Sequence, residues 1–180
     1  DLRAELVDLL EVLRARAHPR STAAPAAEWP LALHRTYGRR EIQAATGHWD
    51  AAHKPSSWEG VLRLKEQKAE LLFVTLDKSA KRFSPTTSYR DYAISPELFH
   101  WQSQAQAAET SEAGRRYIEQ GQNGWRFFLF VRETVDDAYV FLGPVTYESH
   151  TGSRPMNITW RLAHAMAPGL FERFATLLAA

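Results

Sequence analysis

The run Phe99-His100-Trp101-Gln102-Ser103-Gln104 sets an imidazole, an indole, two amides and a hydroxyl within six residues. A strand that had only to pack would not need so many side chains that each want a hydrogen-bond partner. Strand alternation puts His100, Gln102 and Gln104 on one face, and Phe99, Trp101 and Ser103 on the other. A row of one imidazole and two amides matches the donor and acceptor pattern of a base edge or a bent backbone. Satisfied structural polar groups are the plainer reading of the same row. Of the two rings, His100 is expected to face a ligand. Trp101 reaches a pocket only if its face is not core.

Two further runs carry chemistry. The segment from Lys78 to Tyr92 holds Lys78, Lys81, Arg82 and Arg90 against Asp77 and Asp91. It also offers hydroxyls from Ser84, Thr86, Thr87, Ser88 and Tyr89. Cations with hydroxyls are what phosphate contacts use, although a solvated loop has the same composition. Gly152-Ser153-Arg154-Pro155 reads as a turn with a guanidinium at its tip, and Pro155 with Met156 would add an apolar wall. Glycine permits close approach, and arginine grips phosphate or guanine in a fork. A hairpin turn that merely contains an arginine is the alternative. Gly114-Arg115-Arg116-Tyr117 adds two cations on a short helix.

Catalysis has weaker support. His100, His150 and Asp91 could form an acid–base set, with Ser103 or Ser153 as nucleophile. No Gly-x-Ser-x-Gly elbow, Walker loop, His-x-x-x-His pair or carboxylate cluster accompanies them. His48 and His53 have only Asp50 at a suggestive spacing. A binding domain with no catalytic set, no metal and no cofactor is therefore expected.

These residues need elements to position them. Leu2, Leu6, Leu9, Leu10 and Leu13 make an amphipathic helix over residues 2–17, which Pro19 stops, and residues 18–28 read as a linker. This predicts an N-terminal helix and linker over 1–28 and one domain over 29–180. Helical pieces are expected over Leu31–Tyr37 and Arg39–Thr46, with Gly47 as a stop. His48–Glu59 reads as loop. Leu71–Leu76, Trp125–Val131 and Tyr139–Gly143 read as buried strands, and Pro144 marks a bulge or an edge. Met156, Ile158, Trp160 and Leu162 alternate with Asn157, Thr159 and Arg161, the pattern of a half-buried strand. Ser111–Gln120 is a short helix with Ser111 as N-cap, and Pro168–Leu178 is a closing helix with Pro168 in its first turn. The order predicts an α+β fold: an antiparallel, partly closed sheet or small barrel with flanking helices.

Bulk composition sets outer limits. At 180 residues the chain can bury its own core. Six Trp, six Tyr and nine Phe supply core volume and also the usual platforms for base stacking. A net charge of +1 offers no global basic field, so any DNA site must be a local patch. The absence of cysteine excludes disulfides and Cys-ligated zinc and fits a cytoplasmic protein. No apolar run approaches a membrane span and no secretory signal is visible. The start at Asp1 rather than Met is what an excised or processed fragment would show.

The runs PLALHRTYGRREI, LLFVTLDKS, FSPTTSYRDYAISPELFHWQSQ, SEAGRRYI, FLFVRE, YVFLG and SHTGSRPMNITWRL span roughly residues 29–170. Together they resemble an uncharacterised domain, the domain of unknown function 3427. It is found at the C-terminus of bacterial superfamily 2 helicases that also carry a phospholipase-D-type nuclease module. The resemblance implies a restriction or anti-phage setting in which those modules do the chemistry and this domain chooses the DNA. It implies modified double-stranded DNA as ligand, and nuclease or helicase modules as partners. A phosphorothioate backbone would suit Pro155 beside cations and a His. A flipped modified base would suit Trp101 and Tyr89. On this reading Lys81, Arg82, Arg90, Arg115, Arg116 and Arg154 hold phosphates, while His100, Gln102, Gln104 and Ser153 read polar groups. Lys78, Ser84, Thr86, Thr87, Tyr89, Trp101, Ser103 and Pro155 complete the expected DNA-binding set. The competing expectations are a module that docks helicase or nuclease partners through helix 2–17, and a hydrolase using His100 or His150.

Overall fold

A computed structural model describes residues 29–48, 60–77 and 91–175. The expected helix over 2–17, its linker, the loop residues 49–59 and the run 78–90 lie outside the described residues. With them lie the expected contacts Lys78, Lys81, Arg82, Ser84, Thr86, Thr87, Tyr89 and Arg90.

The strands are β1 (Thr36–Tyr37), β2 (Val61–Leu64), β3 (Ala69–Thr75), β4 (Tyr92–Ser95), β5 (Leu98–Gln102), β6 (Arg126–Arg132), β7 (Tyr139–Thr151) and β8 (Asn157–Leu162). The helices are α1 (Arg39–Ala45), α2 (Glu112–Ile118), α3 (Gln120–Asn123) and α4 (Pro168–Ala175). The strands form one open sheet in the order β2-β3-β6-β7-β8-β5-β4, with β1 paired to β7. This is the α+β class expected. The sheet is mixed, because β3 and β6 pair in parallel from Ala69↔Arg126 to Thr75↔Arg132. Parallel neighbours need a long crossover. Here it runs through β4, β5, α2 and α3 before β6 returns beside β3.

All seven residues of β3 are buried. Its alternation therefore feeds two cores on opposite faces of the sheet. Leu72 and Val74 join Phe127, Leu129, Trp101, Trp160 and Phe174 on one face. Leu71 and Phe73 join Phe128, Phe130, Phe141, Leu62 and Ile42 on the other. Helices α2 and α4 cover the first core with Tyr117 and Phe174. Leu31 and α1 cover the second.

Several local expectations hold for the physical reason given. Ser111 Oγ accepts from the Gly114 N–H at 3.0 Å and starts α2. Gly47 follows α1 with φ +70°, the left-handed conformation that ends helices. Pro144 is neither bulge nor edge: it pairs in register with Phe128, and the bulge falls two residues earlier, at Leu142 between the pairs Phe130↔Phe141 and Leu129↔Gly143.

Leu31–Tyr37 is not helical. Leu33–His34 form a turn and Thr36–Tyr37 pair with Val140 and Tyr139. His34 takes φ +60° and its N–H donates to Phe141 O, while Phe141 N–H donates to Arg35 O. The backbone groups that a helix would pair internally are thus used by β7. Strand β7 also runs eight residues past Gly143, to Thr151, into a polar stretch. There Gln120 stands in for a strand neighbour: its Nε2 donates to Val145 O at 2.9 Å and its Oε1 accepts from Tyr147 N–H at 2.7 Å.

Candidate nucleic-acid interface

Strand β5 alternates as the sequence predicts. Phe99 and Trp101 are buried, and His100 and Gln102 are half-buried. Its register with β8 sets His100 opposite Thr159 and Gln102 opposite Asn157. Tyr92 on β4 is the other neighbour of His100, and the two rings stack with centroids 4.6 Å apart and planes 8° apart. Gln102 Nε2 donates to Asn157 Oδ1 at 3.0 Å, and the Gln102 N–H donates to Asp91 Oδ1 at 2.8 Å. His100 Nδ1 is buried and has no hydrogen-bond partner among the described residues.

The turn between β7 and β8 is tied to the segment after β5. Ser103 N–H donates to Met156 O at 2.9 Å, and Met156 N–H donates to Ser103 Oγ at 2.9 Å. The Arg154 N–H donates to Ala107 O at 3.1 Å. Asn157 Nδ2 donates to Thr151 O at 3.4 Å across the base of the turn. The fold therefore brings His100, Gln102, Gln104, Ser153, Arg154 and Pro155 into one region, although the two segments are about fifty residues apart. Gln104, Ser153 and Arg154 are exposed and Pro155 is half-buried. Arg154 holds φ +60°, a conformation most residues avoid, so the turn sets its side chain rather than the reverse. Arg115 is exposed on α2, whose Gly114 backbone packs against Ala108 O and Met156.

Three expected contacts have structural places instead. Trp101 is 3% exposed, edge-on to Tyr117 with ring centroids 5.5 Å apart and 6.2 Å from the Trp160 ring. Its face of β5 is core, so it does not line a surface pocket. Ser103 is fully buried, and its hydroxyl accepts from Met156 and donates to Gln104 O at 3.2 Å. Arg116 is buried, and its Nε meets Glu70 Oε1 at 2.7 Å while Nη1 meets Glu112 Oε1 at 2.9 Å. Trp125 lies under the same guanidinium at 5.0 Å. Arg116 neutralises a carboxylate, Glu70, that has no exposure of its own.

Of the expected acid–base set, His100 pairs opposite Thr159 and His150 opposite Ile158, which puts the two imidazoles on opposite faces of the sheet. Asp91 is held by the Gln102 N–H, and Ser103 lies in the core. His150 instead sits between Tyr147 and Glu109. Its Nδ1 meets the Tyr147 hydroxyl, and its Nε2 lies 3.1 Å from Glu109 Oε1. Burial first, and then the Glu109 carboxylate, push the Tyr147 phenol above its ordinary value. The phenol therefore keeps its proton, and the imidazole bridges Tyr147 and Glu109. This links β7 to the loop that also receives the Arg154 N–H. Asn157, Tyr147 and Glu109 escaped the sequence reading. Asn157 left a usable signal, since it occupies the outward row of a half-buried strand.

No curated protein matches the chain. A family profile matches it over residues 31–174, which includes the sheet, both cores and the tied turn. The chain belongs to the family described as Domain of unknown function (DUF3427).

Proposed function

We propose that the chain is a DNA-binding reader domain that directs a restriction or helicase–nuclease system to modified DNA. The mark is a phosphorothioate backbone or a modified base. In this reading the domain is cytoplasmic, carries no catalysis of its own, and works with nuclease or helicase modules. Among the described residues no helix is long and apolar enough to cross a membrane.

One observation carries the reading. Hydrogen bonds from Ser103, Met156 and Arg154 fix the backbone of a turn that carries an exposed arginine and serine beside a strand end bearing exposed and half-buried amides. Arginine and hydroxyl suit a phosphate, and amides suit a base edge. Pro155 beside Arg154 gives a sulfur-bearing phosphate an apolar contact. Matched duplexes that are unmodified, methylated, hydroxymethylated or phosphorothioated test the idea in one panel. Tighter binding of a modified duplex is expected. Arg154→Ala should weaken binding and make the salt slope shallower by about one unit. Failure to bind any duplex at low salt overturns the reading.

A docking role has its own observation. Ile94, 43% exposed, lies on β4, a terminal strand of the sheet. A partner strand or apolar groove would cover it. Ile94→Lys should then release a helicase or nuclease partner and leave DNA affinity unchanged.

A further inference from the structure

A cleft of about 150 Å³ opens between β1, the β6–β7 turn and α4, away from the residues of the proposed reading surface. Thr36, Arg132, Glu133, Asp137, Val140 and Arg173 are among its lining residues. Arg132 is 8% exposed. Its Nε donates to Thr75 Oγ1 at 2.9 Å, and its Nη1 to Val135 O at 2.6 Å and Asp137 O at 3.4 Å. The Tyr139 ring lies 4.5 Å beneath its carbon. Every one of these partners is neutral. Nη2 makes no hydrogen bond among the described residues.

The two carboxylates of the cleft are already committed. Glu133 is bound by Arg173, and Asp137 Oδ2 accepts from the Thr134 N–H at 2.8 Å and its hydroxyl at 2.7 Å. Among the described residues Arg132 thus makes no close ion pair, and Asp137 and Asp136 act on it only at longer range. A buried cation is normally paired, because desolvation otherwise costs more than neutral dipoles return. Burial, and to a lesser degree Arg39, push the Arg132 guanidinium below its ordinary value, against the opposing pull of Tyr139, Asp137 and Asp136.

We propose that this cleft binds a tetrahedral oxyanion of phosphate size, held by Arg132 Nη2 and the Thr36 hydroxyl, with Arg173 at the rim. A guanidinium edge suits paired oxygens better than a spherical halide. Val140 and Phe174 supply an apolar wall that keeps the local dielectric low. The site shares no residue with the proposed DNA surface, so the two ideas fail separately.

Calorimetric titration of the full chain, in phosphate-free buffer at fixed ionic strength, tests it. Saturable binding of inorganic phosphate is expected. Arg132→Gln should weaken it roughly tenfold or more, the loss of one charge-assisted hydrogen bond. Thr36→Val, at an exposed position that leaves the core intact, should weaken it less, and carries the test if Arg132→Gln does not fold. Arg154→Ala should leave it unchanged. Binding of methyl phosphate as well as inorganic phosphate identifies a phosphorylated molecule as the source. Binding of inorganic phosphate alone identifies the free ion, and either supports the site. No saturable binding, equal binding by wild type and Thr36→Val, or loss of binding in Arg154→Ala overturns it.

Discussion

Arg116 and Arg154 both stand in polar runs, yet their surroundings give them opposite work. Arg154 is exposed on a tied turn, whereas Arg116 is buried against Glu70. Arg63 reaches the same Glu70 oxygen at 2.9 Å, so one fully buried carboxylate serves two guanidiniums. Removing one member of a buried pair leaves an uncompensated charge and costs about 3–5 kcal/mol. Glu70→Gln should therefore lower stability by that order in urea unfolding. Glu112, whose side chain is 84% exposed, also contacts Arg116, but Glu112→Gln should cost less than about 1 kcal/mol, as exposed pairs do. Equal costs for the two variants would show that burial does not decide the value of this network. Ser103 follows the same logic without charge. Its hydroxyl is the acceptor for the buried Met156 N–H. Ser103→Ala should cost about 1–3 kcal/mol, the desolvation of an orphaned donor. It should also weaken DNA binding through the turn, since Met156 lies two residues from Arg154. A variant with lost stability but unchanged affinity would separate the turn from recognition.

Helix α2 connects these residues to the turn through a glycine. A methyl group at Gly114 would stand 1.9 Å from Ala108 O and 3.0 Å from Met156 Sδ. Alanine is the better helix former by about 1 kcal/mol, but overpacking against backbone costs about 1–3 kcal/mol or more. The contact is with a carbonyl that cannot rotate away, so Gly114→Ala should destabilise, read as a lower unfolding midpoint. A raised midpoint would show that the 103–110 loop yields easily. The N-cap of α2 was legible because capping is local: Ser111 and Gly114 are three residues apart. The buried strands β3 and β6 were legible for a similar reason, as unbroken apolar runs. Strand β1 was not, because Thr36 and Tyr37 pair with Val140 and Tyr139 on β7, about a hundred residues away. The parallel pairing of β3 with β6 also left no local trace. At the site, alternation correctly separated His100 and Gln102 from Trp101. It could not reveal that Ser103 would be claimed by Met156, or that Arg116 would face Glu70, since both depend on register between distant strands.

Across the whole molecule, one sheet buries residues on both faces at β3 and β6 but leaves His100, Gln102 and Asn157 only half-buried at the β5–β8 end. The crossover produces this asymmetry by sending β4 and β5 to the far side of β8, beyond the second core. The edge of that second core carries an imidazole. His34, whose Nε2 is buried without a partner among the described residues, lies near His164. Burial first, and then His164, hold its pKa below the ordinary 6.5. The folded protein thus binds fewer protons here than the unfolded chain does. Its contribution to stability is complete above the unfolded value and is lost as pH falls from about 6.5 toward the lower folded value. Urea unfolding between pH 7.5 and about 5 stays above the range in which Asp and Glu ordinarily titrate, and comparison with a His34 variant separates this ring from the other histidines. Wild type should lose stability toward the acid end. His34→Asn keeps a residue that tolerates the φ of +60° and removes the titrating ring, so it should show a shallower slope. Equal slopes for wild type and His34→Asn would mean that protons enter the folded chain elsewhere, and that the edge of the second core does not sense acid.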